Sequence, residues 1–272
     1  MLTGVKIGIV GYGQMAEAMM GGLLSGGVVD PSQIRVSGPR AEHAAKLANK
    51  YGVHVTTSNT EAIGGSQIVV LAVKPQMVRS VIDELSNRIP DGAVVVSIVA
   101  GTTMATLQEG LNHEAVIRAM PNTPGKIGSG VTAWTAADPV TPAQREQASS
   151  LLGALGTSVY VEAERYIDMA TALSGTGPMY VLLFMESLVD AGVRMGLPRY
   201  LAQELVLQTV KGSAEYAQVS TDHLAKLRND VTSPGGTSAA ALDALDQAGF
   251  RPGITRAVLA AHARAIELGQ QG

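Results

Sequence analysis

Two glycine-rich turns carry most of the chemistry that this sequence can support. The first, at Gly11 and Gly13, follows an apolar run and precedes a segment with helical periodicity. With the small Ala16 these glycines form the G-x-G-x-x-[G/A] pattern. In that pattern the first glycine makes the turn, the second lets a pyrophosphate approach, and the third position allows close helix–strand packing. We therefore expect a dinucleotide at this helix N-terminus; a turn that serves only packing is the alternative.

The turn after the second predicted strand bears on which dinucleotide binds. A site for NAD places Asp or Glu there to accept hydrogen bonds from the adenosine ribose. The chain has no acid at this point and carries Ser37, Gly38 and Arg40. A hydroxyl, free N–H groups and a cation suit a 2′-phosphate, so the sequence favours NADPH, with NADH possible. A polar turn with a solvated arginine is the alternative.

The second glycine-rich turn reads VTSPGGTS at residues 231–238. Its Pro and Gly residues end one predicted helix, and Thr237 and Ser238 are predicted to cap the next. Hydroxyls and free N–H groups at a helix start also bind carboxylates. A similar run, SGTGP at 174–178, precedes an apolar helix. Two such turns indicate a small anionic substrate, with ordinary interhelical turns as the alternative.

The elements that must position these turns fall into two groups. Up to Glu162 apolar strands alternate with helices, which predicts an α/β fold with a Rossmann-type, doubly wound parallel sheet. Beyond it the patterns are all helical. We predict a dinucleotide-binding domain at 1–165 and a helical domain for substrate binding and dimerisation at 166–272. Residues 180–185 are apolar on nearly every side, which predicts a fully buried helix, and the thin bundle predicts packing against a second copy.

Composition excludes several classes of protein. The net charge is −3 and no basic run is present, which argues against nucleic-acid binding. The absence of cysteine excludes disulfides and thiolate catalysis. The five histidines are scattered, so no metal site is expected. The N-terminus starts a strand without a signal-peptide pattern, and we see no apolar run of membrane-spanning length, so we expect a cytoplasmic protein that does not bind membranes.

Five stretches, in the family's order and across nearly the whole chain, resemble the pyrroline-5-carboxylate reductases. They are GYGQM at 11–15, AVKP at 72–75, MPNTP at 120–124, LSGTGP at 173–178 and VTSPGGT at 231–237. The resemblance implies hydride transfer from NAD(P)H to the cyclic imine 1-pyrroline-5-carboxylate, which gives L-proline in the final step of proline biosynthesis. It also implies dimers formed through the helical domain, and larger rings of such dimers.

The resemblance also implies site residues. The substrate is expected against Glu164, Gly235, Gly236, Thr237 and Ser238, with Thr237 and Ser238 as the catalytic candidates. The expected cofactor-binding residues are Val10, Gly11, Tyr12, Gly13, Gln14, Met15, Ser37, Gly38, Arg40, Asn59, Ala72, Val73, Lys74, Pro75, Ile98, Val99 and Ala100.

One departure and two alternatives accompany this interpretation. The family's signature usually ends in two threonines, the second bonding the imine nitrogen, whereas this chain has Ser238, whose χ1 is less restricted. Another NADP-linked imine or 3-hydroxy acid reductase of the same plan is the first alternative. Hydroxy acid enzymes normally place a Lys after the domain boundary, and residues 172–195 contain none. A non-catalytic nucleotide-sensing module is the second alternative, and the hydroxyl-bearing turn argues against it.

Overall fold

A computed structural model describes residues 2–271 of the chain. Eight strands form a single sheet, with the order β3-β2-β1-β4-β5-β6-β7-β8. The strands are β1 Ile7–Val10, β2 Ile34–Ser37, β3 His54–Thr56, β4 Ile68–Leu71, β5 Val94–Ser97, β6 Val116–Met120, β7 Gly130–Ala136 and β8 Gly156–Tyr160. The helices are α1 Gln14–Ser25, α2 Ala41–Tyr51, α3 Asn59–Ile63, α4 Val78–Leu85, α5 Met104–Leu111, α6 Pro142–Gly153, α7 Arg165–Ala170, α8 Gly177–Arg194, α9 Arg199–Val219, α10 Leu224–Asp230, α11 Thr237–Gln247 and α12 Phe250–Gln271.

The predicted Rossmann-type α/β sheet is confirmed. Strands β1, β4 and β5 are buried along their whole length, as central parallel strands covered by helices on both faces must be. Val10 lies level with Ser37 and Leu71 in the parallel register, so these strands end at one edge of the sheet. The sheet is mixed, however, because β7 runs antiparallel to β6. A short 3-10 turn, Thr123–Ile127, joins those strands in place of a crossover helix.

The chain forms two compact units. One runs from the N-terminus to Thr176 and includes the chain from Ala261 onward, and the other is Gly177–Ala260. The sequence-based division at residue 165 stays a prediction. Between α7 and α8 the backbone passes through a π-helical turn, Thr171–Gly175. The Ser174 hydroxyl there donates to the Ala170 carbonyl at 2.9 Å, so it serves the helix backbone in this conformation.

The helical unit Gly177–Ala260 leaves much apolar surface open in the single chain. Helices α8 and α9 approach closely where Gly192 faces Ala202, since a Cβ on Gly192 would stand 3.0 Å from that of Ala202. Nearer the start of α8, Leu182 is 62% exposed and Phe184 is 42% exposed. The prediction of a fully buried helix at 180–185 is therefore wrong for one copy, because much of that face stays exposed in the single chain.

One helical stretch is long and apolar enough to cross a membrane by length and composition alone. It is Arg165–Arg194; the most apolar 18-residue window of this stretch has a mean hydropathy of 1.2, and 11% of that window is buried. The expectation that no run reaches this length is therefore wrong. Its apolar face is the surface left open on α8.

Candidate active site

In the first glycine-rich turn, glycine is needed at positions 11 and 13 for different physical reasons. Gly11 has φ +98°, and a Cβ there would lie 2.8 Å from the Ala72 carbonyl oxygen, so the empty protein already requires glycine. A Cβ on Gly13 would meet nothing nearer than that same oxygen at 3.8 Å. Gly13 is also the N-cap of α1, and no side chain caps this helix. The protein alone does not explain Gly13, whereas an anion held against the free N–H groups does.

A cavity of about 340 Å³ opens beside this turn, and its volume suits part of a dinucleotide. It brings together nine of the predicted cofactor residues, namely Gly11, Tyr12, Gly13, Gly38, Arg40, Asn59, Ala72, Val73 and Lys74. Six further lining residues were missed from sequence, namely Pro39, Thr57, Met77, Ser80, Val81 and Glu84. Four of the six repeat at helical spacing just after the predicted Lys74 and Pro75. A helix predicted to start just after Pro75 would place these four residues on one face, and this pattern could have identified them.

The loop that carries Arg40 is held by the first turn. A Cβ on Gly38 would stand 1.9 Å from the ring of Tyr12, so the Tyr12 ring packs directly against this backbone. The Tyr12 hydroxyl bonds the backbone of Arg40. No carboxylate stands among Ser37, Gly38, Pro39 and Arg40 at the end of β2. A loop that carries Arg40 and no acid fits the 2′-phosphate of NADPH better than the bare ribose of NADH.

Ser37 is fully buried and does not line the cavity. Its hydroxyl donates to Oδ1 of Asn59 at 2.7 Å, and Nδ2 of Asn59 donates to Oε2 of Glu84 at 2.7 Å. The two bonds fix the orientation of the Asn59 amide. Ser37 therefore orients Asn59, and its hydroxyl is not free for a phosphate in this conformation.

The remaining predicted cofactor residues do not line this cavity. Val10 is buried in β1, and its carbonyl accepts from the Ala72 N–H at 2.8 Å. The side chain of Gln14 accepts from Lys126 Nζ at 2.8 Å, on another flank of α1. Met15 packs on the core. Pro75 starts a 3-10 turn before α4. Ile98, Val99 and Ala100 directly follow β5.

Glu164 stands in the same unit as the cavity and is tied to the sheet. Its Oε1 accepts from the Met104 N–H at 2.7 Å and from the Arg118 guanidinium at 3.0 Å. A second carboxylate, Asp168, accepts from the same guanidinium at 2.6 Å. Sequence reasoning missed Arg118 and Asp168. The signal was a lone charge inside an apolar strand, because a buried arginine needs anionic partners.

The second glycine turn, in the helical unit, departs from the capping prediction. Thr237 and Ser238 are the first residues of α11, and the N-cap is Gly236, which has no side chain to cap the helix. Within residues 2–271, the hydroxyls of Thr237 and Ser238 form no hydrogen bond. Gly235 has φ +67°, in the region that favours glycine. The turn therefore presents free N–H groups and two hydroxyls at a helix N-terminus, which is the chemistry of a carboxylate site.

A larger cavity of about 730 Å³ lies beside α1, and its polar side chains are paired with one another. Lys50 donates to Glu17 at 2.7 Å, and Lys126 donates to Gln14. The bond from Lys50 lowers the pKa of Glu17 and raises the pKa of Lys50 itself. This cavity contains one predicted site residue, Gln14, so the smaller cavity beside the glycine turn is the better candidate for the cofactor.

Comparisons with known proteins agree with this arrangement. Residues 6–101 match a family model described as NADP oxidoreductase, coenzyme F420-dependent. Residues 164–268 match a model described as pyrroline-5-carboxylate reductase dimerisation. A pyrroline-5-carboxylate reductase of a Synechocystis species is 41% identical over 267 residues, which are 98% of this chain and 99% of that protein. The chain belongs to the pyrroline-5-carboxylate reductase family.

Solved pyrroline-5-carboxylate reductases share the whole fold. The enzyme from Coxiella burnetii has a TM-score of 0.90 and 35% identity, covering 97% of this chain and 98% of that one. The Plasmodium falciparum enzyme, solved with NADP bound, has a TM-score of 0.89 and 32% identity over the same shares. The dimerisation model includes all of α8. The predicted homodimer is confirmed, and the apolar face that a single chain leaves open on α8 lies within the matched residues.

Proposed function

We propose that this chain reduces 1-pyrroline-5-carboxylate to L-proline, the final step of proline biosynthesis, with NADPH as reductant. The observation that carries the proposal is the uncapped N-terminus of α11, with the hydroxyls of Thr237 and Ser238 beside it. It is a site for a small carboxylate in a chain whose relatives bear this enzyme's name. The NADP-bound neighbour and the Arg40 loop support NADPH, and NADH remains possible.

The reaction requires correct orientation of the substrate and cofactor more than it requires acid catalysis. A protonated imine is already electrophilic, so one hydride on carbon completes the amine and no further proton is needed. When bound, NADPH supplies that hydride from C4 of its nicotinamide. We propose that the N–H groups at the start of α11 receive the carboxylate, and that the Ser238 hydroxyl bonds the ring nitrogen. Positioning of this kind contributes several kcal/mol, on the order of 7 or more in favourable cases.

The cofactor is assigned to the cavity beside Gly13. We propose that the free N–H groups of α1 hold the pyrophosphate and that Arg40 pairs with the 2′-phosphate. Asn59, oriented by Ser37 and Glu84, bonds the adenosine end. Glu164 orients a reactant through the oxygen that its ion pair leaves open. The other predicted cofactor residues support this cavity from behind or continue it along the sheet edge.

Two finer proposals concern assembly and location. We propose that dimers gather into a larger ring, supported by apolar side chains that stay open at the ends of the helices, such as Tyr200 at 75% and Val219 at 82% exposure. Light scattering that gave the mass of a single dimer would remove the ring. The cytoplasm is the proposed location, and a fluorescent fusion found in another compartment would contradict it.

One assay tests the function. Purified protein is given 1-pyrroline-5-carboxylate and NADPH, NADPH absorbance is followed, and L-proline is identified by chromatography. We expect saturable turnover with stoichiometric proline, and a lower kcat/KM with NADH. Turnover on another imine or a 3-hydroxy acid, with none on 1-pyrroline-5-carboxylate, would support a different NADP-linked reductase of the same plan. Saturable NADPH binding without turnover would give the nucleotide-sensing module.

A further inference from the structure

A buried arginine bridges two carboxylates beneath the end of the sheet. Arg118, in the middle of β6, is 3% exposed. Nη1 of its guanidinium donates to Oε1 of Glu164 at 3.0 Å, and Nη2 donates to Oδ1 of Asp168 at 2.6 Å. The carboxylates are four residues apart at the start of α7, so they lie on one face of that helix. The proposed reaction uses neither Arg118 nor Asp168 directly.

The two oxygens of Glu164 are in different situations. Oε1 receives two donors, the Arg118 guanidinium and the Met104 N–H at the start of α5. Among residues 2–271, no recorded hydrogen bond reaches Oε2. The side chain keeps 28% of its surface exposed. One oxygen is therefore anchored, and the other is open to a ligand that carries an N–H group.

We propose that Arg118 and Asp168 are positioning residues that leave Oε2 of Glu164 free to accept a hydrogen bond from a reactant N–H. The inference rests on the proposed function, which puts Glu164 at the reactants. The physical reason lies in the guanidinium fork. Asp168 engages Nη2, so of the Nη1–Nη2 pair only Nη1 donates to Glu164. Without that competitor an arginine binds both oxygens of one carboxylate, and Oε2 would then be lost to the reactants.

A double-mutant cycle tests this assignment through coupling, which a merely structural role does not produce. The variants are Asp168→Asn, Glu164→Gln and the pair together, each assayed for kcat/KM with 1-pyrroline-5-carboxylate and for NADPH affinity. We expect Asp168→Asn alone to lower kcat/KM about tenfold with NADPH affinity within about twofold of wild type. In the Glu164→Gln background the same change should cost less than about twofold.

Three further variants help to interpret this cycle. Asp168→Glu retains the charge and should recover kcat/KM to within about threefold. Asp190→Asn removes one side of an exposed ion pair, Asp190–Arg199 at 2.8 Å, and should leave kcat/KM unchanged. Should Asp168→Asn fail to fold in a thermal melt, Arg118→Lys completes the same cycle, because an ammonium offers no planar fork.

The outcomes separate the two proposals. An active wild type whose single losses multiply in the double variant overturns the positioning role and leaves the proposed function standing. A wild type without turnover on 1-pyrroline-5-carboxylate overturns the proposed function, and the positioning role with it. Loss in Asp168→Asn that disappears in the Glu164→Gln background supports the inference.

Discussion

The phenol oxygen of Tyr12 bonds both polar groups of the Arg40 backbone. It donates to the Arg40 carbonyl at 2.9 Å and accepts from the Arg40 N–H. The ring is buried, and its centroid lies 4.8 Å from that of His43. Tyr12 belongs to the glycine turn and Arg40 to the loop after β2. The middle residue of the G-x-G pattern thus ties the pyrophosphate turn to the loop proposed for the 2′-phosphate.

Removing that hydroxyl should affect the two cofactors unequally. In Tyr12→Phe the Arg40 loop loses bonds worth about 0.5–1.5 kcal/mol each, so NADPH affinity should fall about three- to tenfold. NADH has no 2′-phosphate, and its affinity should change less than about twofold. Titration calorimetry with both cofactors measures this. Tyr160→Phe is the matched control, because Tyr160 bonds an arginine at 2.7 Å outside the cavity. Equal weakening of both cofactors would show that Tyr12 does not act through this loop.

Arg40 itself should discriminate more strongly. A charge-assisted bond to a phosphate contributes about 1.5–3 kcal/mol, so Arg40→Ala should weaken NADPH by about ten- to a hundredfold and NADH far less. Arg35→Ala, which removes a half-buried arginine that donates to the Gly64 carbonyl at 3.3 Å, is the control and should spare both cofactors. The same loss for NADPH and NADH would mean that Arg40 does not read the phosphate.

The two glycines of the turn should separate folding from binding. Gly13→Ala adds a methyl group into open space, so the thermal midpoint without cofactor should stay close to that of wild type, while NADPH affinity falls at least about tenfold. Gly11→Ala adds one against the Ala72 carbonyl at positive φ, so it should unfold at lower temperature even without cofactor. Thermal melts with and without NADPH give both readouts. An unchanged NADPH-induced shift in Gly13→Ala would rule out close phosphate approach at this residue.

The sequence patterns that report on local packing predicted the fold well. Buried strands such as Ile68–Leu71 appear as continuous apolar runs because parallel strands are covered on both faces. The direction of β7 could not be predicted this way, since an apolar run has the same pattern in either direction. Full burial of α8 was wrong because its apolar face stays exposed in one chain, and that face lies within the residues that match the dimerisation model. Burial from a partner and burial within one chain leave the same pattern in sequence.

The site was predicted where motifs are local and missed where contacts are distant. Gly11, Gly13 and Arg40 come from turns a few residues long, and they line one cavity. Asp168 reaches Arg118 across 50 residues of chain, so no neighbouring motif indicates it. Glu84 reaches the cavity from α4, and only the helical period that follows Lys74 and Pro75 could have indicated it. The cap of α11 was also misassigned. The helix begins at Thr237, one residue earlier than it would if Thr237 were its N-cap, and this leaves the Thr237 hydroxyl free.

The pair Glu17–Lys50 should make stability depend on acid pH. The hydrogen bond from Lys50 lowers the pKa of Glu17 from its ordinary value of 4.5. A lowered folded-state pKa stabilises the protein fully above the unfolded-state value and loses that stabilisation as pH falls through the folded-state value. Glu17→Gln should therefore cost up to about 1 kcal/mol at neutral pH and less at an acid pH below the ordinary pKa of 4.5. Urea unfolding at both pH values measures it, with Glu42→Gln, from the exposed Glu42–Lys46 pair, as control. An equal cost at both values would contradict the linkage.

Ser238 offers the sharpest test of the substrate turn, because two substitutions should move in opposite directions. Ser238→Ala removes the hydroxyl proposed to bond the ring nitrogen, and should raise the barrier to turnover by about 1–3 kcal/mol with NADPH affinity unchanged. Ser238→Thr restores the family's usual residue, whose branched Cβ restricts χ1, so turnover should equal or exceed that of wild type. Steady-state kinetics with 1-pyrroline-5-carboxylate decide both. Wild-type turnover in the alanine variant would remove the hydroxyl from the reaction, and a loss in the threonine variant would mean that Ser238 is fitted to a site too narrow for the methyl group.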